Sequence, residues 1–293
     1  MPSSLKQTFL AVVLIAVTGT FTAFGQWPSY QSKGPRGKDG KIDVNAPPPR
    51  TADGKIDFSG LWEPARITTQ ANRDKDKQPV TPPGEPPVGQ FFNIGVGFKE
   101  GLPFTKWAAD VRADRKANNN KDNPDANCLP LGLTQLHMHP YPRKIVQTSE
   151  EIIMMYEANA DKRDILLNRP LPTNDPSPWW YGYSSGHWDG DTLVIETIGF
   201  RDDVWLDVEG SPLTSTGKMT ERWRRPTFGS MQVDVTIEDP KALTKPWNVT
   251  KQYRKQKPGL FLYDYGCAEN NRNPVDAATG KTLILGADGK PVN

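Results

Sequence analysis

A histidine can carry a proton near neutral pH, and it does so best with a carboxylate within reach. Residues 179–200, Trp-Trp-Tyr-Gly-Tyr-Ser-Ser-Gly-His-Trp-Asp-Gly-Asp-Thr-Leu-Val-Ile-Glu-Thr-Ile-Gly-Phe, put His187 and Glu196 on two short runs joined by an Asp-Gly turn. A two-residue turn at Asp189–Gly190 would set His187 opposite Thr192, Ser185 opposite Val194, Tyr183 opposite Glu196 and Tyr181 opposite Ile198. Side chains alternate along a strand, so Tyr181, Tyr183, Ser185, His187 and Glu196 then share one face. Facing a barrel interior, His187 and Glu196 would form an acid/base pair with Tyr183 orienting a substrate. The plainer alternative is a hydrogen-bonded histidine at the barrel mouth with the tyrosines as packing. The other face carries Gly182, Ser184, Gly186, Leu193 and Ile195, and its glycines leave room for another element.

Glu221 poses a similar question. It alternates with Met219 and Trp223, so its carboxylate is expected to be partly buried. An unpartnered buried carboxylate is costly, and Arg222 lies on the opposite face, so a third residue must satisfy it. A raised pKa there would mark a catalytic group, whereas an arginine from another strand would make it a structural pair. Tyr181, Ser185, Trp188 and Trp223 are the candidates for ligand contacts. His137 and His139 sit two apart and, with His187, are the only histidines in the chain. On a strand His137 and His139 would face one way and could chelate a metal with His187. Nothing in the sequence brings the three together, and Pro140 and Pro142 make that segment rigid and irregular, so no metal site is expected. No Gly-x-Ser-x-Gly elbow and no phosphate-cradling glycine loop occurs, and no cofactor is expected.

These residues need elements to hold them, and from Arg143 onward the pattern is short strands divided by turns. The candidates are 144–148, 151–158, 164–168, 180–188, 192–198, 217–225, 231–237, 247–254 and 260–265. Nine strands with short connections imply antiparallel neighbours, and closure removes the exposed edges. The expected fold is all-β: a lipocalin-like antiparallel barrel or strongly curved sheet, preceded by one helix over about 105–116 with Thr105 as its cap.

Residues 1–25 read as a secretory signal, with Lys6, an apolar run from Phe9 to Val17 and a small-x-small site at Ala23–Gly25. A periplasmic or secreted protein follows, with no later membrane span. Residues 26–101 read as an extended Pro/Gly-rich arm in which Ile56, Phe58 and Trp62 could dock on the main body. The β domain is assigned to 102–275 and a tail to 276–293. Two copies of Asp-Gly-Lys-Ile-Asp, ending at Asp43 and Asp57, read as turn signals rather than a structural repeat. A net charge of +2 without a basic cluster argues against nucleic acid as a partner. Cys128 and Cys267 are the only cysteines. In an oxidising compartment such a pair most often forms one disulfide, and two buried thiols are the alternative.

The blocks Asp53–Trp62, Leu102–Ala109, Cys128–Gly132, Pro140–Thr148, Gly186–Val194, Thr220–Arg225 and Cys267–Asn270 together resemble a family of exported bacterial proteins without an assigned activity. The resemblance runs from about Thr51 to Asn271 and implies export and one extended domain. Members of that family often carry a histidine shortly before the Glu-Arg block, where this chain has residues 211–217, Ser-Pro-Leu-Thr-Ser-Thr-Gly.

Three functions are compatible with these residues. One is a binding protein for a small apolar or aromatic molecule in a barrel pocket. Another is a cofactor-independent lyase, isomerase or hydrolase using His187 with Glu196 or Glu221. The last is an envelope interaction protein using the N-terminal arm.

Overall fold

Alternation between apolar and polar residues recurs along the chain, and in the computed structural model it is resolved into inward and outward faces of a barrel. The structure describes residues 34–65, 93–95, 98, 101–174, 177–257 and 259–263. Its strands are β1 (Gly60–Pro64), β2 (Arg143–Gln147), β3 (Glu151–Tyr156), β4 (Lys162–Leu167) and β5 (Tyr183–Asp189). They continue with β6 (Thr192–Ile198), β7 (Lys218–Thr227), β8 (Ser230–Glu238) and β9 (Trp247–Lys255). All nine close into one barrel in sequence order, with β1 pairing both β2 and β9. Met231, Val233, Val235 and Ile237 point inward from β8, as their period of two requires.

Closure comes from an unexpected segment. Leu260–Tyr263, the described part of the strand expected at 260–265, is irregular, with Leu260, Phe261 and Tyr263 exposed. Its place in the sheet belongs to Gly60–Pro64, inside the stretch read as an extended arm. Trp62 is fully buried there, Gly60–Trp62 pairs with Ile145–Arg143, and Trp62–Pro64 pairs with Lys255–Tyr253. A five-residue strand is enough, because each neighbour needs only three paired positions to close the gap.

One seam is also not antiparallel. β4 and β5 pair in parallel through Ile165–Leu167 and Ser184–Gly186. A parallel pair needs a return connection of a dozen or more residues, and residues 168–182 supply it. Pro170, Pro172, Pro176 and Pro178 prevent that return from becoming the usual crossover helix. Its described residues, 168–174 and 177–182, are irregular chain.

The β5–β6 hairpin also differs in register. Asp189 pairs with Thr192, Ser185 with Glu196 and Tyr183 with Ile198, so the turn is Gly190–Asp191, with Gly190 at φ 59°. The ladder is displaced by two residues from the Asp189–Gly190 turn expected, and an even displacement preserves which residues share a face. The face bearing Tyr183, Ser185, His187 and Glu196 points outward. Gly186 points inward, where an added Cβ would lie 2.9 Å from Leu167.

Helix α1 (Lys106–Ala117) starts at Thr105, whose hydroxyl accepts the Ala108 amide. Of its apolar stripe only Ala108 is buried, and Trp107 remains 39% exposed. The helix lies outside the barrel, where Arg112 pairs with Glu209 and Arg115 stacks over Trp205 at 4.5 Å. A second helix, α2 (Leu133–Met138), was not evident from the sequence. Every one of its six residues is buried, and Gln135 donates to the Trp205 carbonyl at 3.0 Å. It closes the barrel mouth at the β6–β7 connection. At the opposite mouth Phe58 packs between Trp188 and Trp223, at ring distances of 6.0 and 5.6 Å.

The two Asp-Gly-Lys-Ile-Asp segments form a repeat after all. Pro35–Asp43 and Pro49–Asp57 make the same closures: Asp43 N to Pro35 O and Asp57 N to Pro49 O, each 2.9 Å. Arg36 and Arg50 likewise donate to the carbonyls of Gly40 and Gly54. The first unit backs the β7–β8 turn, where Gly229 N donates to Val44 O at 2.8 Å. The second grips the β5–β6 turn, where Arg50 forks onto Asp191 at 2.9 and 2.7 Å. The sequence holds one further Asp-Gly-Lys, at Asp288, also read as a turn signal, and it lies outside the described residues.

Candidate functional site

Two places on the barrel gather polar and aromatic groups: an outer groove over the parallel seam, and a charged cluster in the interior. Arg169, Pro170, Leu171 and Pro172 form one wall of the groove, Trp179, Gly182 and Tyr183 the other, and Glu151, Asp164, Leu166, Ser184 and Ser185 the floor and rim. Together they enclose about 360 Å³, within the range of small-molecule sites.

Trp179 is the groove's most prominent residue, 57% exposed while its backbone is fixed. Its amide donates to the Gly199 carbonyl at 2.9 Å, and it bridges to Phe200 in parallel. Its ring rests on Tyr183, centroid to centroid 4.9 Å at 31°. Tyr183 is held in turn by its hydroxyl, which donates to the Ser177 carbonyl at 3.0 Å, and Ser185 Oγ donates to the Arg169 carbonyl. Gly182 has φ 63° and lies so close to β6 that a Cβ would meet the Ile198 carbonyl at 2.5 Å. Only glycine allows the chain to pass there and present Trp179 to solvent. Leu166 adds a further exposed apolar surface.

The interior cluster centres on Glu221, which is fully buried on β7. Arg163 of β4 reaches its Oε2 at 2.5 Å, and Trp223 Nε1 donates to its Oε1 at 3.0 Å. His137 of α2 places Nε2 2.9 Å from Oε1, an ion-pair distance without the alignment of a good ring N–H hydrogen bond. Arg163 is held by Ser184 at 3.0 Å and Thr197 at 2.9 Å. From His137 the chain of contacts continues to Tyr253, whose hydroxyl lies 3.4 Å from Nδ1 and accepts from Arg143 at 3.1 Å. Arg143 also donates to the carbonyls of His139 and Tyr141.

Burial by itself would push the Glu221 carboxyl up, but Arg163 and then His137 outweigh it, and the group is held well below the ordinary carboxylate range. Burial lowers His137, helped by Arg163 and Arg143 and opposed by Glu221. Burial disfavours the imidazolium, so Arg163 is the permanent charge that balances Glu221. Burial raises Tyr253 and pushes Tyr156 up to about 12. Lys251, on the inward face of β9, is lowered to about 8 by burial and then by Arg143. This geometry can orient a neutral imidazole against a buried phenol, the arrangement of a general base and its proton donor.

The residues singled out by sequence fall in different places. Tyr183 and Ser185 line the groove, while Glu221 and Trp223 meet in the interior. His187 is exposed on the outer face opposite Val194, and Glu196 on that same face pairs with Lys218. The conditional acid/base pair is therefore not assembled inside the barrel, because the face that carries it points out. Tyr181 is half-buried beside Asp161, whose carboxyl burial pushes up to about 6. Trp188 packs on Phe58, with the Lys55 ammonium 5.7 Å from its ring. His137 lies inside the barrel, His187 outside, and His139 stacks on Tyr141 at 4.4 Å. No grouping of three or more metal-ligating side chains occurs among the described residues. Trp179 and α2 were not selected by sequence reasoning. The signal for Trp179 was the proline-rich gap between two strands, which is too long for a hairpin.

A larger cavity, about 510 Å³, lies between α1 and the β6–β7 connection, bordered by Asp110, Asp114, Asp122 and Asp203. Its aromatic faces are already covered, Trp205 by Arg115 and Trp180 by Arg201, each at 4.5 Å. Cys128 lies in the left-handed region at φ 54°. Cys267 lies outside the described residues. No helix among the described residues is long and apolar enough to cross a membrane. No protein-family model matches the chain, and no curated protein matches it.

Proposed function

We propose that this is an exported binding protein whose ligand, a small molecule with an apolar or aromatic face, lies in the outer groove over the β4–β5 seam. The observation that carries this reading is Trp179: a large aromatic ring left 57% exposed on a fixed backbone, backed by Tyr183 and facing about 360 Å³ of space. Exposing such a ring forgoes roughly 25 cal/mol for each Å² of apolar surface left in water, which a ligand would recover. The interior of the barrel is lined by buried side chains, which supports a binding surface on the outside rather than the interior pocket expected from the sequence. Export through residues 1–25, membership of the exported bacterial family and a Cys128–Cys267 disulfide belong to the same reading.

Native mass spectrometry of protein recovered from its own envelope fraction tests it. A small molecule retained by the wild type, released on denaturation and missing from Trp179→Ala is the expected result. A ligand retained equally by Trp179→Ala would contradict it.

A second reading rests on the interior chain Glu221–His137–Tyr253–Arg143, which could serve a cofactor-independent lyase, isomerase or hydrolase. It requires a substrate to reach groups that are all buried. If the recovered ligand is converted by the wild type and not by His137→Gln, with binding intact, this reading displaces the first.

A further inference from the structure

Charge at the rim of the groove sums to zero. Glu151, Asp164 and Arg169 line it, and Lys162 lies against Asp164 at 2.9 Å. Two carboxylates and two cations give no net field to draw in an ion, but they surround the opening with both acceptors and donors. Trp179 adds an aromatic face on which no other described residue's ring stacks, since its ring contact among the described residues is with Tyr183 on the other side. A flat apolar ligand held between Trp179 and the Pro170–Pro172 wall would leave the charged rim without partners. A ligand with one apolar face and a polar edge uses everything present.

We infer that the ligand class of this groove is an uncharged sugar ring, stacked on Trp179 with its hydroxyls directed to Glu151, Asp164 and Arg169. The inference rests on the groove reading above and narrows it. A pyranose presents several C–H bonds from one face, and their positive ends match the negative face of the indole. Its equatorial hydroxyls each donate and accept, which suits a rim of mixed charge better than an anion or a cation would. Side-chain ordering is also limited here, because Trp179 and Tyr183 are held by hydrogen bonds to Gly199 and Ser177 before anything binds.

Isothermal titration of the full chain with maltotetraose, cellotetraose and N,N′-diacetylchitobiose, with 1-naphthol as an apolar aromatic control, provides the test. Binding of at least one sugar is expected, weakened at least about tenfold by Trp179→Ala and no more than about threefold by Trp179→Phe. Glu151→Gln is expected to weaken the sugar and leave 1-naphthol unchanged. Trp179 is exposed, so circular dichroism of the variant should match the wild type. If only 1-naphthol binds, and does so through Trp179, the sugar assignment is overturned while the groove reading stands. Sugar binding indifferent to Trp179→Ala overturns the assignment too. If neither kind of ligand binds, both fall.

Discussion

Glu221 is ionised in the barrel interior because Arg163 is 2.5 Å away and the remaining oxygen takes Trp223 Nε1 and His137. Removing one partner of such a buried pair leaves an uncompensated charge, so Glu221→Gln should cost about 3–5 kcal/mol in urea unfolding. Trp179→Ala, by contrast, should stay within about 0.5 kcal/mol of the wild type, as surface substitutions do. The pH dependence follows from the shifts. Glu221 is lowered on folding, so its contribution is present above the unfolded value near 4.5 and is lost as pH falls. His137 is held neutral, so stability also falls as pH drops through 6.5, where the unfolded chain takes up the proton. Lys251 acts in the alkaline range. Its folded value of about 8 lies below the ordinary 10.5, so the unfolded state binds the extra proton between them and stability rises with pH across that window. Lys251→Met should flatten that rise, which is on the order of 3 kcal/mol at most. The sequence indicated that Glu221 was at least partly buried and needed a third residue, with an arginine from another strand as one of the alternatives. It could not indicate His137, because the six-residue α2 carries no capping side chain and no periodic stripe.

At the level of elements, the fold was legible wherever side chains alternate cleanly. Eight of the nine expected strands appear, and the Asp-Gly hairpin keeps its face assignments even though its turn moves by one residue. Two failures have physical causes. Gly60–Pro64 is too short, and too close to proline-rich chain, for a period of two to show; its evidence was the burial-prone trio Ile56, Phe58 and Trp62. The parallel seam was signalled only by the length of the gap between β4 and β5. Pattern alone also could not say which face of β5 points in, since tyrosine, serine and histidine suit either side. The second turn unit leads through Phe58 into β1, the strand that completes the barrel. Phe58 is its buried anchor, so Phe58→Ala should cost about 3–5 kcal/mol. Arg50→Ala, which removes an exposed ion pair with Asp191, should cost at most about 1 kcal/mol. Chemical denaturation of the two variants side by side checks that order.

Across the whole molecule, two mouths are closed and one outer seam is left open. Helix α2 fills the mouth beside the β6–β7 connection, and Phe58 with Trp188 and Trp223 fills the other. The surface proposed for a ligand is the outer groove over the parallel β4–β5 seam. A Cys128–Cys267 bridge would tie the approach to α2 to chain beyond β9, closing a loop of about 140 residues. The chain-entropy estimate for such a loop is about 5 kcal/mol. Oxidised protein should therefore unfold at higher urea than protein held in reductant, and Cys128→Ser should behave like the reduced wild type. Equal midpoints would argue against the bridge.

Amide chemical-shift mapping during titration with the ligand recovered from the native protein tests the central claim most directly. The groove account predicts shifts concentrated at Leu166, Leu171, Trp179, Tyr183 and Ser185, with β7 and β9 undisturbed. Shifts centred instead on Glu221, His137 and Tyr253 would place the ligand inside the barrel and contradict it.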